Sequence, residues 1–174
     1  MLDFEKEEVK SLDVYRLIFR TMLTSNSHGR ISNATTSHAL VLIEELLRFA
    51  KTSVDIYCKS LSADVWCRDE IIGAMATAFD RGVAFRVLVQ EEPDENNRAL
   101  NFFRKREIIV KEDIVPNGES KPEFNFMVVD HSSFRYEENN CKREGFAYAV
   151  NEKFSDVLNK LFDSMYSTGR ILGR

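Results

Sequence analysis

Residues 53–90 read SVDIYCKSLSADVWCRDEIIGAMATAFDRGVAFRVLVQ, and this stretch decides the fold. Val54, Ile56 and Tyr57 lie in a short run rich in branched and aromatic side chains, the signature of a strand. The segment from about Arg68 to Asp80 has helical spacing and stops at Arg81-Gly82, where glycine can take the left-handed stop conformation. VAFRVLVQ (83–90) follows at once, and its near-continuous apolar character fits a strand buried on both faces. A strand–helix–strand unit of this size predicts a right-handed crossover and a parallel pair.

Outward from this unit, residues 5–25 carry apolar groups at spacings of three and four and read as a helix. NSHGRISNATT (26–36) is polar and without period, a loop, and a second helix over Ser37–Lys51 has Thr36 or Ser37 as its cap. Downstream, Pro93-Asp94 opens a helix through Arg106, Glu107–Lys111 is a strand, and 116–122 is a loop. Residues 124–130, 133–137 and 145–150 read as a mostly antiparallel meander, and a helix over 152–166 closes the chain. The expectation is an α/β domain of three layers around one mixed, centrally parallel sheet. Residues 1–36 form an N-terminal helix and loop, and 37–174 the domain proper, in one compact unit.

Composition narrows the class. The chain has 174 residues, 44% hydrophobic and 30% charged, with a net charge of −4 and a pI near 5.5. That balance fits a globular protein and disfavours coating of nucleic acid, which needs a dense cationic field. Cys58, Cys67 and Cys141 are odd in number and lack CxxC spacing, so reduced thiols in a cytoplasmic protein are expected, with no metal site. The N-terminal MLDFEKEEVK has no apolar core of a secretion signal, and no run of 18 apolar residues is present; no membrane span is expected.

SVDIYCKSL, the helix ending AFDRGVAFRVLVQ, and EFNFMVVD (123–130) in that order resemble the phospholipase D superfamily over about residues 38–168. The resemblance implies its three-layer fold and a His-x-Lys-x4-Asp motif, in which His attacks phosphorus, Lys binds the phosphate and Asp orients the machinery. Aligned on Asp130, the histidine position holds Glu123 and the lysine position Asn125. A glutamate repels a phosphodiester and an asparagine carries no charge to neutralise it. The downstream Gly-Ser-x-Asn has its nearest counterpart in Gly145-Phe146-Ala147-Tyr148, without the polar pair. Glu123, Asn125 and Asp130 therefore mark a vestigial site with no catalytic residue, and no cofactor is implied.

Two further groups bear on binding. Arg135 and Glu137 share one strand face, with Arg143 across the hairpin. They form either a salt-bridge ladder or an anion pocket to which Lys59 and Arg86 contribute. His131 directly follows Asp130 and reads as a turn histidine rather than a site partner. The resulting expectation is a non-catalytic, phospholipase D-like binding or assembly module, a homodimer by the family's habit of completing a two-lobed body. A protein partner in a bacterial multi-component system would suit it. The alternatives are a nuclease or phosphodiesterase with a site rebuilt from Glu123, Asp130 and His131, and a weak, sequence-independent nucleic-acid binder.

Overall fold

The computed structural model describes residues 2–115, 120–139 and 143–173, with the backbone alone over 2–10. Five helices are seen among them: α1 (Leu2–Thr24), α2 (Thr36–Phe49), α3 (Asp69–Asp80), α4 (Arg98–Lys105) and α5 (Glu152–Thr168). The strands are β1 (Arg30–Asn33), β2 (Ser53–Cys58), β3 (Ala84–Val89), β4 (Val110–Glu112), β5 (Asn125–Val129), β6 (Ser133–Glu137), β7 (Gly145–Tyr148) and β8 (Arg170–Ile171). They form one sheet in the order β1-β7-β6-β5-β2-β3-β4-β8. The β2–β3 and β3–β4 pairs are parallel, as the quoted stretch predicts, and all other pairs are antiparallel.

The pleat sorts the side chains. Val54, Ile56, Cys58, Val87, Val89, Met127, Val129 and Ala147 face a core closed by α1 to α4. Their neighbours Tyr57, Leu88, Phe126, Val128, Phe134 and Phe146 face the opposite side, against Leu158 and Phe162 of α5. The second core is mostly aromatic; Phe134 stacks on Phe154 at 4.9 Å and Phe126 meets Phe162 edge-on at 6.3 Å.

Several boundaries differ from the sequence reading. Residues 30–33 are not loop but edge strand β1, held by the register Ile31↔Ala147 and Asn33↔Gly145 with β7. Four residues are too few for a periodic signal, so tertiary pairing decides there. The α2 cap is Thr35, whose hydroxyl accepts from the His38 N–H at 3.2 Å, rather than Thr36 or Ser37. Helix α4 starts five residues after Pro93, because Asn97 caps the Leu100 N–H at 3.0 Å while its amide donates to the Leu61 carbonyl. Glu107, at φ 57°, turns the chain out of α4 and delays β4 to Val110. Strand β8 was not expected; it covers the edge of β4.

Helix α1 belongs to the body. Phe19 and Leu23 are fully buried in the main core, and Arg16 and Arg20 reach Glu45 of α2 at 2.8 Å each, Arg16 also reaching Glu44 at 2.6 Å. Burial disfavours the charged Glu45 carboxyl, but the two guanidiniums outweigh it and hold its pKa below the ordinary value. Among the described residues no helix is long and apolar enough to cross a membrane.

Candidate functional site

Of the three positions marked in the sequence, Glu123, Asn125 and Asp130, only Asn125 lies on β5, and the strand separates it from Asp130. Asn125 opens the strand and Asp130 follows its end, five residues or about 16 Å along an extended chain. Asp130 is thus remote from the site mouth. It lies in a turn with consecutive left-handed residues, φ 50° at Asp130 and 59° at His131. Its carboxylate accepts the backbone N–H groups of Lys51 (2.9 Å), Thr52 (2.7 Å) and Ser53 (3.0 Å), and the Thr52 hydroxyl at 2.8 Å. Partial burial opposes ionisation, yet these four donors win and hold the Asp130 carboxyl below its usual range.

A rebuilt hydrolytic centre from Glu123, Asp130 and His131 does not assemble. Glu123 is exposed just before β5, whereas Asp130 and His131 lie beyond its far end. The His131 ring turns to α5, its Nδ1 3.4 Å from the Asn159 side-chain oxygen, while Asp130 turns to residues 51–53. The turn-histidine reading fits this placement.

At the Asn125 end the side chains form a closed polar chain on the α2 side of the sheet. Asn125 accepts the Lys59 N–H at 2.9 Å and donates to Glu137 Oε1 at 2.9 Å. Glu137 Oε2 takes Arg135 Nη2 at 2.8 Å, Arg135 Nε donates to Asn33 at 3.3 Å, and the Asn33 amide donates to the Arg143 carbonyl at 2.6 Å. Arg143 lies 3.8 Å from Glu137 and donates to Asp64 (2.9 Å) and Ser62 (3.0 Å). The side chains of Arg135 and Glu137 are only 5% and 2% exposed. Burial pulls the Arg135 guanidinium below its ordinary pKa, and Glu137 opposes that pull. What remains open among them is a void of about 20 Å³, lined also by Val65 and Trp66. That is room for one water, not for a phosphate.

Arg135, Glu137 and Arg143 are therefore brought together as the sequence pattern indicates, in the salt-bridge form. Lys59 contributes its backbone N–H, while its ammonium turns to Glu91 at 3.8 Å. Arg86 does not join them. It pairs in register with Asp55 on the α5 side of the sheet, bound to both Asp55 oxygens at 2.7 and 2.6 Å and to Asp163 at 2.8 Å. The hydrogen bonds it donates to Asp55 raise its pKa, and its guanidinium lies over the Phe162 ring at 4.9 Å. Placing Arg86 in the anion pocket fails because the period of two along β3 sends it to the other face. Sequence reasoning missed Asn33, Ser62 and Asp64. The first sits on a strand without a sequence signal, and the others in the irregular connection after β2.

Gly145 faces Glu137 across β6 and β7, and a Cβ there would run into the Tyr136 carbonyl oxygen. A glycine at 145 thus permits the close approach of β7 to β6.

No family model matches the chain, and no curated protein matches its sequence. Solved structures do match in shape. Nuc, a phospholipase D family member from Salmonella typhimurium, aligns at a TM-score of 0.63 and 16% identity, over 84% of this chain and 97% of its own. NucT from Helicobacter pylori aligns at 0.62 and 12%, over 83% and 99%. TrmBL2, an archaeal chromatin protein with a novel mode of DNA binding, aligns at 0.58 and 13%, over 98% of this chain and 66% of its own. With its eight-stranded mixed sheet and its helices on both faces, this chain shares the fold of these structures, phospholipase D family member Nuc among them.

Proposed function

We propose that the chain is a non-catalytic phospholipase D-like module that works by assembly, pairing with a second copy of itself. The observation that carries this reading is Asn125. The position from which the family's lysine would hold a phosphate bears a neutral amide, spent on the Lys59 N–H and on Glu137. A phosphodiester brought there would meet Glu123 at the strand's entrance and the buried Glu137 carboxylate behind it, both repulsive, with no vacancy of its size. Neither the nucleophile nor the anion clamp of the family mechanism has a substitute among the neighbouring side chains named above. A wider assembly with other proteins is part of the same proposal.

The test is hydrolysis of bis-p-nitrophenyl phosphate and plasmid DNA, with and without divalent metal. No turnover above buffer is expected. Turnover that disappears in Glu123→Gln or Asn125→Ala would overturn the reading. A second reading, weak association with nucleic acid, is favoured by the likeness to the DNA-binding TrmBL2 over nearly the whole chain. About a third of TrmBL2 lies outside that likeness, and this chain is net acidic, so binding should be weak and fall steeply with salt. A gel-shift series from low to physiological salt separates the two readings: a complex at low salt that fades towards physiological salt supports the second, and no complex at any salt supports the first.

A further inference from the structure

Helix α1 is clamped to α2 along one side only. Phe19 and Leu23 are buried, Tyr15 donates to the Ser32 carbonyl at 2.9 Å, and Arg16 and Arg20 hold Glu44 and Glu45. On a helix turning 100° per residue, Leu17 then points directly away from the body, with Val14 and Ile18 on one flank of it. These three are 63%, 57% and 49% exposed, three of the seven large hydrophobic side chains that are exposed among the described residues. They sit at i, i+3 and i+4, the spacing of a helix-pairing stripe rather than of scattered surface residues.

The other flank of Leu17 carries Asp13 and Arg20, one opposite charge each, seven residues apart and so at the same angular position. Asp13 forms no ion pair among the described residues. Arg20 uses Nε and Nη2 on Glu45, which leaves Nη1 unengaged among them, and its side chain is half exposed. When two copies of one helix pack antiparallel, like flanks face each other in opposite sense. Asp13 of each copy then meets Arg20 of the other, twice over, across a stripe of Leu17, Val14 and Ile18. Packed parallel, that flank meets the opposite one, and the reciprocal pair is lost.

We infer that the outer face of α1 is the surface on which a second copy of this chain docks, as an antiparallel helix pair about a two-fold axis near Leu17. The contact is isologous, each stripe serving as its own partner. This deepens the assembly reading and rests on it. Three apolar side chains per helix cover much less than the roughly 800 Å² per partner of a standard interface, so a dissociation constant of tens of micromolar fits better than a permanent dimer. The α1 contact also leaves the closed polar chain around Asn125 away from the axis, since that chain lies beneath α2.

The experiment is size exclusion with light scattering, on the full chain, from roughly 5 to 200 µM. The parent is expected to approach a mass twice that of the 20.1 kDa chain at the upper end and to fall towards the monomer on dilution. Leu17→Glu should stay at the monomer mass throughout, with unchanged circular dichroism and melting because Leu17 makes little use of the core. Ile18→Lys is the second variant should Leu17→Glu fold poorly. Asp13→Arg sets like charges against each other and should weaken pairing at least tenfold. A parent monomeric at 200 µM overturns this inference and the self-assembly reading together. A dimer indifferent to Leu17→Glu and Ile18→Lys overturns the inference alone and moves the contact to another face. A dimer lost with Leu17→Glu but untouched by Asp13→Arg overturns the antiparallel arrangement.

Discussion

Removing the Glu137 carboxylate is the sharpest perturbation of the closed polar chain. Glu137 is the one ion-pair partner of Arg135 among the described residues, at 2.8 Å, and both side chains are almost fully enclosed. In Glu137→Ala a guanidinium stays buried with a neutral contact to Asn33, and Asn125 loses its acceptor. Breaking a buried pair by deleting one member costs roughly 3–5 kcal/mol, because the other charge is left unpaid in a low-dielectric site. The stranded Asn125 donor adds to this, though not additively. Against a total of roughly 5–15 kcal/mol for a domain, the variant keeps only part of its stability, and its melting point should drop by about 10 °C or more. Urea and thermal unfolding followed by circular dichroism at neutral pH give the number. Arg135→Met with Glu137→Leu removes both charges and should recover most of the loss, since a well-packed apolar pair replaces such a bridge at little or no cost. The reasoning fails if Glu137→Ala lies within about 1 kcal/mol of the parent, or if the double variant is no better than the single. Either result would mean that water reaches Arg135, which is the property of an anion pocket and not of a structural bridge.

Three other outcomes follow from the same geometry. Asp130→Asn should lower stability by about 1–3 kcal/mol at pH 7 through loss of charge-assisted hydrogen bonds; because the folded carboxyl titrates below its unfolded value, the contribution is complete above about pH 4 and fades as pH falls through the lower folded value. Melting curves of parent and variant should therefore converge in acid, and a gap that persists at pH 2 refutes the assignment. Gly145→Ala should cost about 1–3 kcal/mol, as its methyl group meets the Tyr136 carbonyl and pushes β7 from β6; an unaltered melting temperature would refute the tight approach. Glu123→His with Asn125→Lys should not create phosphodiesterase activity, since an ammonium at position 125 would pair with Glu137 in a void of about 20 Å³; robust turnover would show that the two substitutions alone silence the site.

The core of the fold was legible in residues 53–90 because two buried strands and an amphipathic helix repeat the physics of their surroundings in their own pattern. The positions of Glu123, Asn125 and Asp130 were legible from the resemblance, and the pairing of Arg135 with Glu137 from the strand period. Arg86 was misplaced although the same period governs it, because which face of β3 looks towards Asn125 depends on its pairing with β2, a tertiary fact. Asn33 and β1 were hidden for a different reason. A four-residue edge strand gains its hydrogen bonds from β7, over a hundred residues away in sequence, and nothing in RISN announces that partner. The separation of Asp130 from Glu123 could be read from the sequence, since the five residues of β5 between them alone span about 16 Å.

The grip of Asp130 on three consecutive amides also bears on strand register. The β5–β6 hairpin must find β2 across more than sixty intervening residues, and a slip of one residue would still satisfy many ladder bonds. Such a slip would throw Asn125, Arg135 and Glu137 to the aromatic α5 face and pull Phe126 and Phe134 towards α2. A carboxylate that fits Lys51, Thr52 and Ser53 in one alignment alone leaves the misregistered hairpin with an unpaired charge, which disfavours that alignment. In this chain Asp130 thus serves as a check on strand alignment, one carboxylate that only the correct register can satisfy.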